Sequence, residues 1–164
     1  MSKTEKNLQD AFAGESQANR KYLAFAKKAE KEGHGQVAKL FRAAAEAETV
    51  HAHNHLKELN GIKSTKENLE AAISGESYEF QSMYPQMIED AKSEDNKSAL
   101  RSFNFANEVE KVHAELYQKA LDSLGGNEET DYYVCDICGY TAEGEAPDNC
   151  PVCNARKKMF KKID

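Results

Sequence analysis

The sequence predicts a mainly α protein, a four-helix bundle followed by a small module held together by metal. Three observations predict it. Residues 1–124 are rich in Ala, Glu, Lys and Leu, with apolar side chains recurring at helical spacing. That pattern breaks at three short polar stretches, "EGHGQ" (32–36), "NGIKS" (60–64) and "KSEDNK" (92–97). All four cysteines fall between Cys135 and Cys153. Composition changes at "GGNEETD" (125–131), so the expected organisation is a helical domain over 1–124, a polar linker over 125–131 and a cysteine module over 132–164.

Each helix has its own signals. Ser2-x-x-Glu5 is a capping box that opens the first, whose core stripe is Leu8, Phe12, Tyr22 and Ala26. The second carries Val37, Phe41 and Ala44. Ser64-x-x-Glu67 opens the third, with Leu69, Ile73, Phe80, Met83 and Met87 facing inward. The fourth presents Ala99, Phe103, Ala106, Tyr117 and Leu121. Gly33, Gly35 and Gly61 are the expected stops. Four amphipathic stripes joined by short turns make a four-helix bundle.

Charge and hydropathy exclude several classes. The net charge of −6 and the lack of a basic arm argue against nucleic acid or an anionic membrane as partner. No apolar run approaches the roughly 20 residues that cross a bilayer, and "MSKTEKNLQD" lacks the apolar stretch of a secretory signal. The expected location is the cytoplasm, where clustered cysteines bind metal more often than they form disulfides.

The two halves of the bundle repeat one another. "KNLQDAFAGESQANRKY" (6–22) aligns with "ENLEAAISGESYEFQSMY" (67–84), which sets Glu15 on Glu76. "EAETVHAHNH" (46–55) aligns with "EVEKVHAELY" (108–117), which sets Glu48 on Glu110 and His51 on His113. The second half has one residue more between its glutamate and its tyrosine, just before Pro85, and one added residue in a helix beside a proline predicts a π-bulge.

Glu15, Glu48 with His51, Glu76 with Glu79, and Glu110 with His113 all occupy inward stripes. Five carboxylates in one layer require compensating positive charge, and no Lys or Arg sits in the stripes at that level. Two divalent cations would bring the layer close to neutrality. Glu-x-x-His places both ligands on one helix face, and a Glu from each of two helices with Glu-x-x-His from the other two is the ligand set of a carboxylate-bridged dimetal site. Oxygen and imidazole donors suit iron or manganese better than zinc, without excluding it. Glu46, Glu108 and Glu115 fall off the stripe, His34 lies in a turn and His53 faces outward. His55 shares the stripe four residues beyond His51, where an ordinary packed histidine is the expected reading ahead of a support for the ligands.

From "AFAGES" through "GESYEFQSMYP" and "EKVHAELY" to the cysteine tail, the chain resembles the rubrerythrins. The resemblance implies a ferritin-like diiron bundle acting as a peroxidase, with Glu48 and Glu110 bridging the irons and Glu15, Glu76 and His113 terminal. It also implies that one iron exchanges His51 for Glu79 on oxidation, which fits the preference of harder ferric iron for anionic oxygen. The repeat supplies the needed asymmetry, because Glu79 aligns with Ala18. Tyr22 and Tyr84 would hydrogen-bond ligand carboxylates; spacing alone fits core aromatics with a polar tip equally well.

"CDICGYTAEGEAPDNCPVC" is a pair of Cys-x-x-Cys knuckles, Cys135 with Cys138 and Cys150 with Cys153, able to offer four thiolates tetrahedrally. Spacing does not choose the metal, and a structural zinc ribbon fits it too. "CGY" and "CP" resemble rubredoxin, which implies a one-electron iron centre that refills the diiron site. Gly139 would let backbone N–H groups approach the sulfurs.

Ferritin-like bundles run their second and third helices in the same direction. The connection must then cover roughly 40 Å at 1.5 Å per helical residue, whereas about six extended residues around Asn60 to Thr65 reach only about 20 Å. Either the helices run simply up-down-up-down, which would disrupt the pseudo-symmetric ligand arrangement, or the third and fourth pack on a second chain; the expected solution is the latter, a homodimer with exchanged helix pairs. Each site would take Glu15, Glu48 and His51 from one subunit and Glu76, Glu79, Glu110 and His113 from the other.

The expected activity is reduction of hydrogen peroxide to water. Electrons would enter through the cysteine-bound iron from a separate reductase or rubredoxin, ultimately drawing on a nicotinamide, while Glu79 and nearby tyrosines manage protons. No G-x-G-x-x-G fingerprint supports direct nicotinamide binding. Two alternatives stand beside this: a ferritin-like protein that oxidises and stores ferrous iron, against which the cysteine tail counts, and a redox-inert protein with zinc in both sites.

Overall fold

The computed structural model describes residues 1–164. They form two compact units, Met1–Lys63 and Ser64–Asp164. In the first, α1 (Lys3–Lys31) and α2 (Gly35–Glu58) make a helical hairpin. The capping box at Ser2 is complete: its hydroxyl accepts from the Glu5 N–H, and the Glu5 carboxylate accepts from the Ser2 N–H. The fully buried seam of the hairpin is made of alanines, with Ala26, Ala29 and Ala38 packed together beside Phe41, and Ala45 and Ala52 further along α2. Larger apolar side chains remain open, among them Leu23, Phe25, Leu40 and Val50. Val37, expected in the core, is 46% exposed, because one hairpin encloses only the seam between its two helices.

In the second unit, α3 (Thr65–Tyr78), a π-helical segment (Glu79–Met83) and α4 (Tyr84–Ser93) follow one another without a break, and α5 (Lys97–Asp122) packs against them. Ser64 repeats the capping box with Glu67, and the Asn96 side chain caps α5 by accepting from the Ala99 N–H. The π segment falls where the repeat locates the extra residue. The N–H of Tyr84 donates to the Glu79 carbonyl, five residues back. Eight residues of plain α-helix would carry Tyr84 about 80° around from Glu76, and the wider turn absorbs that excess, as the seven residues from Glu15 to Tyr22 do unaided.

The helix ends share one solution. Gly33, Asn60 and Asp95 have φ of 83°, 52° and 50°. In each case the next N–H reaches back to a carbonyl of the last turn: His34 to Ala29, Gly61 to Leu56 and Asn96 to Ala91. Gly35 is thus the first residue of α2 rather than a stop. At the second end the left-handed residue is Asn60, and Gly61 serves differently: a Cβ there would run into the Leu56 side chain and lie 3.2 Å from the Leu56 carbonyl oxygen.

The cysteine module is a three-stranded antiparallel sheet in the order β2-β1-β3, with β1 Tyr132–Cys135, β2 Thr141–Glu143 and β3 Phe160–Ile163. Two similar knuckles hang from it. The N–H of Gly139 donates to the Cys135 carbonyl, and the N–H of Asn154 donates to the Cys150 carbonyl. Both residues are left-handed, at φ 85° and 60°. The Cys135 and Cys150 N–H groups are taken by the carbonyls of Tyr140 and Ala155. No helix is long and apolar enough to cross a membrane.

Candidate metal centres

Each unit gathers one Glu/Glu/His set. In the first, ligand atoms of Glu15, Glu48 and His51 lie within 4.8 Å of one another, and His51 Nδ1 is 2.9 Å from Glu48 Oε2. The face is open: the His51 side chain is 55% exposed. One turn beyond Glu15, Asn19 is buried between the two helices. Its buried amide donates to the Ala45 carbonyl at 2.7 Å and to Thr49 Oγ1 at 2.8 Å, tying α1 to the turn of α2 that carries Glu48.

In the second unit Glu76, Glu110 and His113 converge in the same way. His113 Nδ1 is 2.7 Å from Glu110 Oε2 and 3.9 Å from Glu76 Oε1, while Nε2 faces Thr141 Oγ1 at 3.0 Å. Burial, then a hydrogen bond with Glu110 and the negative charges of Glu110 and Glu79, push the Glu76 carboxyl up to about 7. Glu79 is raised by burial and by Glu110, against a pull from His113. The share of these shifts that comes from neighbouring carboxylates marks a place where negative charge is concentrated and a cation would be favoured.

Tyr84 and Tyr117 report the same field. Both phenols are raised first by burial and then by the carboxylates, Glu110, Glu79 and Glu76 for Tyr84, and Glu76 and Glu110 for Tyr117. Tyr84 therefore lies within the electrostatic reach of Glu110, Glu79 and Glu76. Tyr22, its counterpart, packs its ring on Phe25 and Phe41 at 6.3 and 6.1 Å. Tyr117 reads from the sequence as an ordinary core aromatic; its spacing of four from His113 is the signal that places it at the site. Glu79, the first residue of the π segment, stands outside the converging trio. Glu46, Glu108, Glu115 and His53 are exposed, as their off-stripe positions predict.

The four cysteine sulfurs also lie within 4.8 Å of one another. Cys135 and Cys153 are 3.7 Å apart, Cys138 and Cys150 3.5 Å. Four sulfurs at about 2.3 Å from a central ion would be separated by about 3.8 Å, so the set fits a tetrahedral metal. Burial pushes the Cys138 and Cys153 thiols up. Burial also acts on Cys135, but the N–H groups of Ile137 and Cys138 together with hydrogen bonds to the Cys153 and Cys138 sulfurs bring that thiol down. The Tyr140 and Ala155 N–H groups reach the sulfurs of Cys138 and Cys153. These are the backbone approaches that the left-handed Gly139 and Asn154 permit.

The cysteine module is seated on α5. Besides the bond from His113 to Thr141, Lys119 is paired with Glu143, and Gly139 faces Val109 so closely that a Cβ would touch it at 3.9 Å. An apolar-walled cleft of about 350 Å³, lined by Leu69, Leu116, Tyr117 and Tyr132 among others, reaches His113 and Thr141.

Helices that present paired carboxylate and imidazole ligands, followed by a four-cysteine module, define a ferritin-like carboxylate metalloprotein with a rubredoxin-like domain. Residues 6–121 match the Rubrerythrin family, and residues 133–161 match its rubredoxin-like domain. The chain belongs to the rubrerythrin family, which binds iron. It is 35% identical to rubrerythrin-2 of Clostridium acetobutylicum, over 93% of this chain and 92% of that one. It is 36% identical to nigerythrin of Nitratidesulfovibrio vulgaris (96% and 85%) and 38% identical to rubrerythrin of Porphyromonas gingivalis (97% and 89%). Solved structures of nigerythrin in mixed-valence and fully reduced, all-ferrous states superpose with a TM-score of 0.60 at 35% identity, covering 99% of this chain and 88% of that one.

Proposed function

We propose that the protein is a non-haem diiron peroxidase that reduces hydrogen peroxide to two waters, consuming two electrons and two protons. The observation that carries this reading is the pairing of two Glu/Glu/His sets with a four-sulfur site on one chain. Iron held by the carboxylates would supply the electrons and act as Lewis acid at the O–O bond. Glu15, Glu48, His51, Glu76, Glu79, Glu110 and His113 would hold the iron, with Glu48 and Glu110 shared between its two ions. His51 and Glu79 would serve as interchangeable donors, since His51 is exposed enough to swing and Glu79 sits at the start of the π turn. Tyr84, Tyr22 and Glu79 hold protons near the site. Without metal, burial and the neighbouring carboxylates raise the Glu76 and Glu79 carboxyls, and a bound cation would reverse that shift.

Cys135, Cys138, Cys150 and Cys153 hold one iron, for which zinc can substitute, and receive electrons from a separate nicotinamide-linked reductase or a rubredoxin in the cytoplasm. The proposed domains are 1–124 and 132–164 with a linker between. The functional form is a dimer with exchanged helix pairs. Three features support it: each unit carries half a ligand set, only six residues (59–64) separate α2 from α3, and the first hairpin leaves Leu23, Phe25, Val37, Leu40 and Val50 open.

The test is optical. Iron-loaded protein should be red, bleach with dithionite and recover its colour on addition of stoichiometric peroxide. A colourless protein holding only zinc would favour an inert structural role. Slow turnover of peroxide with mineral formation from ferrous salt would favour iron storage.

A further inference from the structure

Metal-ligating histidines are generally held by a hydrogen bond to the ring nitrogen that does not bind the metal. The two histidines here differ in this respect. His51 Nδ1 faces Glu48, and its ring is largely exposed. His113 Nδ1 faces Glu110 and Glu76, but its Nε2 is also engaged, 3.0 Å from Thr141 Oγ1 in the cysteine module. Thr141 opens β2, only three residues beyond Cys138.

The hydrogen-bond directions can be assigned from chemistry. Thr141 Oγ1 lies 3.3 Å from the Gly139 carbonyl, which can only accept, so the hydroxyl proton is directed there. The oxygen lone pairs are then left to accept from His113 Nε2–H. With the proton on Nε2, the neutral ring presents its Nδ1 lone pair toward Glu110 and Glu76, where a metal would be shared with them. The Gly139 carbonyl is itself held in place, because Gly139 closes the Cys135 knuckle by donating its N–H to the Cys135 carbonyl.

We propose that Thr141 is a positioning residue for the carboxylate metal centre: its hydroxyl holds His113 in the orientation that binds metal through Nδ1, and the folded cysteine module delivers it. The inference rests on the dimetal reading of Glu76, Glu110 and His113. It makes the cysteine module more than an electron inlet, since the module also completes the support of a ligand in the neighbouring centre. It also makes the two histidines unequal, with His113 anchored and His51 free to move.

The test uses the full chain loaded with zinc, which is diamagnetic, and compares Thr141→Val, which keeps shape and strand preference, with Thr141→Ser, which keeps the hydroxyl. In the wild type, His113 should show an imidazole N–H resonance protected from solvent exchange. T141V should lose that protection and bind metal at the carboxylate site about 10- to 100-fold more weakly by chelator competition. T141S should restore the protected resonance and come within about threefold of wild-type affinity. Zinc affinity of the four-cysteine site should be the same in all three proteins, which verifies that the module is folded. A T141V protein within about threefold of wild type, or a T141S protein no better than T141V, overturns the proposal. Uptake of one zinc per wild-type chain, rather than three, would instead overturn the dimetal reading, and the cysteine-site signal would distinguish that failure.

Discussion

Asn19 donates its side-chain amide to the carbonyl of Ala45 at 2.7 Å, in the one buried polar position of the first hairpin. The orientation is fixed, because a reversed amide would set oxygen against oxygen. Asn19→Ala should cost about 2 kcal/mol, measured by denaturant unfolding of the metal-free protein. Asn19→Asp should cost more, by bringing a carboxylate against the Ala45 carbonyl, and both should weaken metal binding because the same contact aligns Glu15 with Glu48. Unchanged unfolding in both variants would remove this role.

Glu76 gives the metal-free protein a pH dependence of definite sign. Its folded value of about 7 lies above the ordinary 4.5, so between those values the folded state holds a proton that the unfolded chain releases. The contribution to stability is present below pH 4.5 and is lost as pH rises through 7, amounting to at most about 3 kcal/mol. Glu76→Gln should flatten that loss and raise the metal-free melting temperature at pH 8, while weakening metal uptake. Thermal melts of both proteins between pH 5 and 8, with and without metal, check this.

Exchange of helix pairs can be read by complementation. One chain would carry Glu48→Ala with His51→Ala, and its co-expressed partner Glu110→Ala with His113→Ala. If the pairs are exchanged, the mixed dimer has one intact dimetal site and one with both halves damaged, so it should retain about half of the peroxide reduction per dimer. If each chain completes its own bundle, every site is damaged and activity should vanish.

The knuckles of the cysteine module predict an asymmetry under substitution. Gly139→Ala places an L residue at φ 85°, where its Cβ has room beside Val109, so the cost should be conformational, about 1–2 kcal/mol. Asn154→Gly at φ 60° should change stability much less, because asparagine already tolerates the left-handed region. Unfolding of the zinc-loaded module, followed by release of the metal to a chromogenic chelator, checks both.

Much of this architecture is legible in the sequence because it is local. The capping boxes at Ser2 and Ser64 and the turn at Gly33 depend on neighbours a few residues away, and the repeat locates the π segment to within a turn. The two ligand trios follow from a stripe that is polar where it should be apolar. What depends on tertiary placement is not legible. Thr141 is 28 residues from His113, and only the seating of the cysteine module on α5 brings them together. Val37 fits a core stripe by periodicity, yet a lone hairpin leaves it open, since periodicity names a face without saying what covers it. Asn60 takes the left-handed position that Gly61 was expected to fill, because asparagine can also end a helix there.

The π turn has a consequence for lineage as well as geometry. An ancestral hairpin of about sixty residues, doubled end to end, would have built a centre from two equivalent halves and given both ions the same surroundings. Two changes end that equivalence: one residue added between Glu79 and Pro85, and a glutamate at position 79 where the matching position of the first half is Ala18. Together they let one ion differ from its twin without any change to the shared ligands.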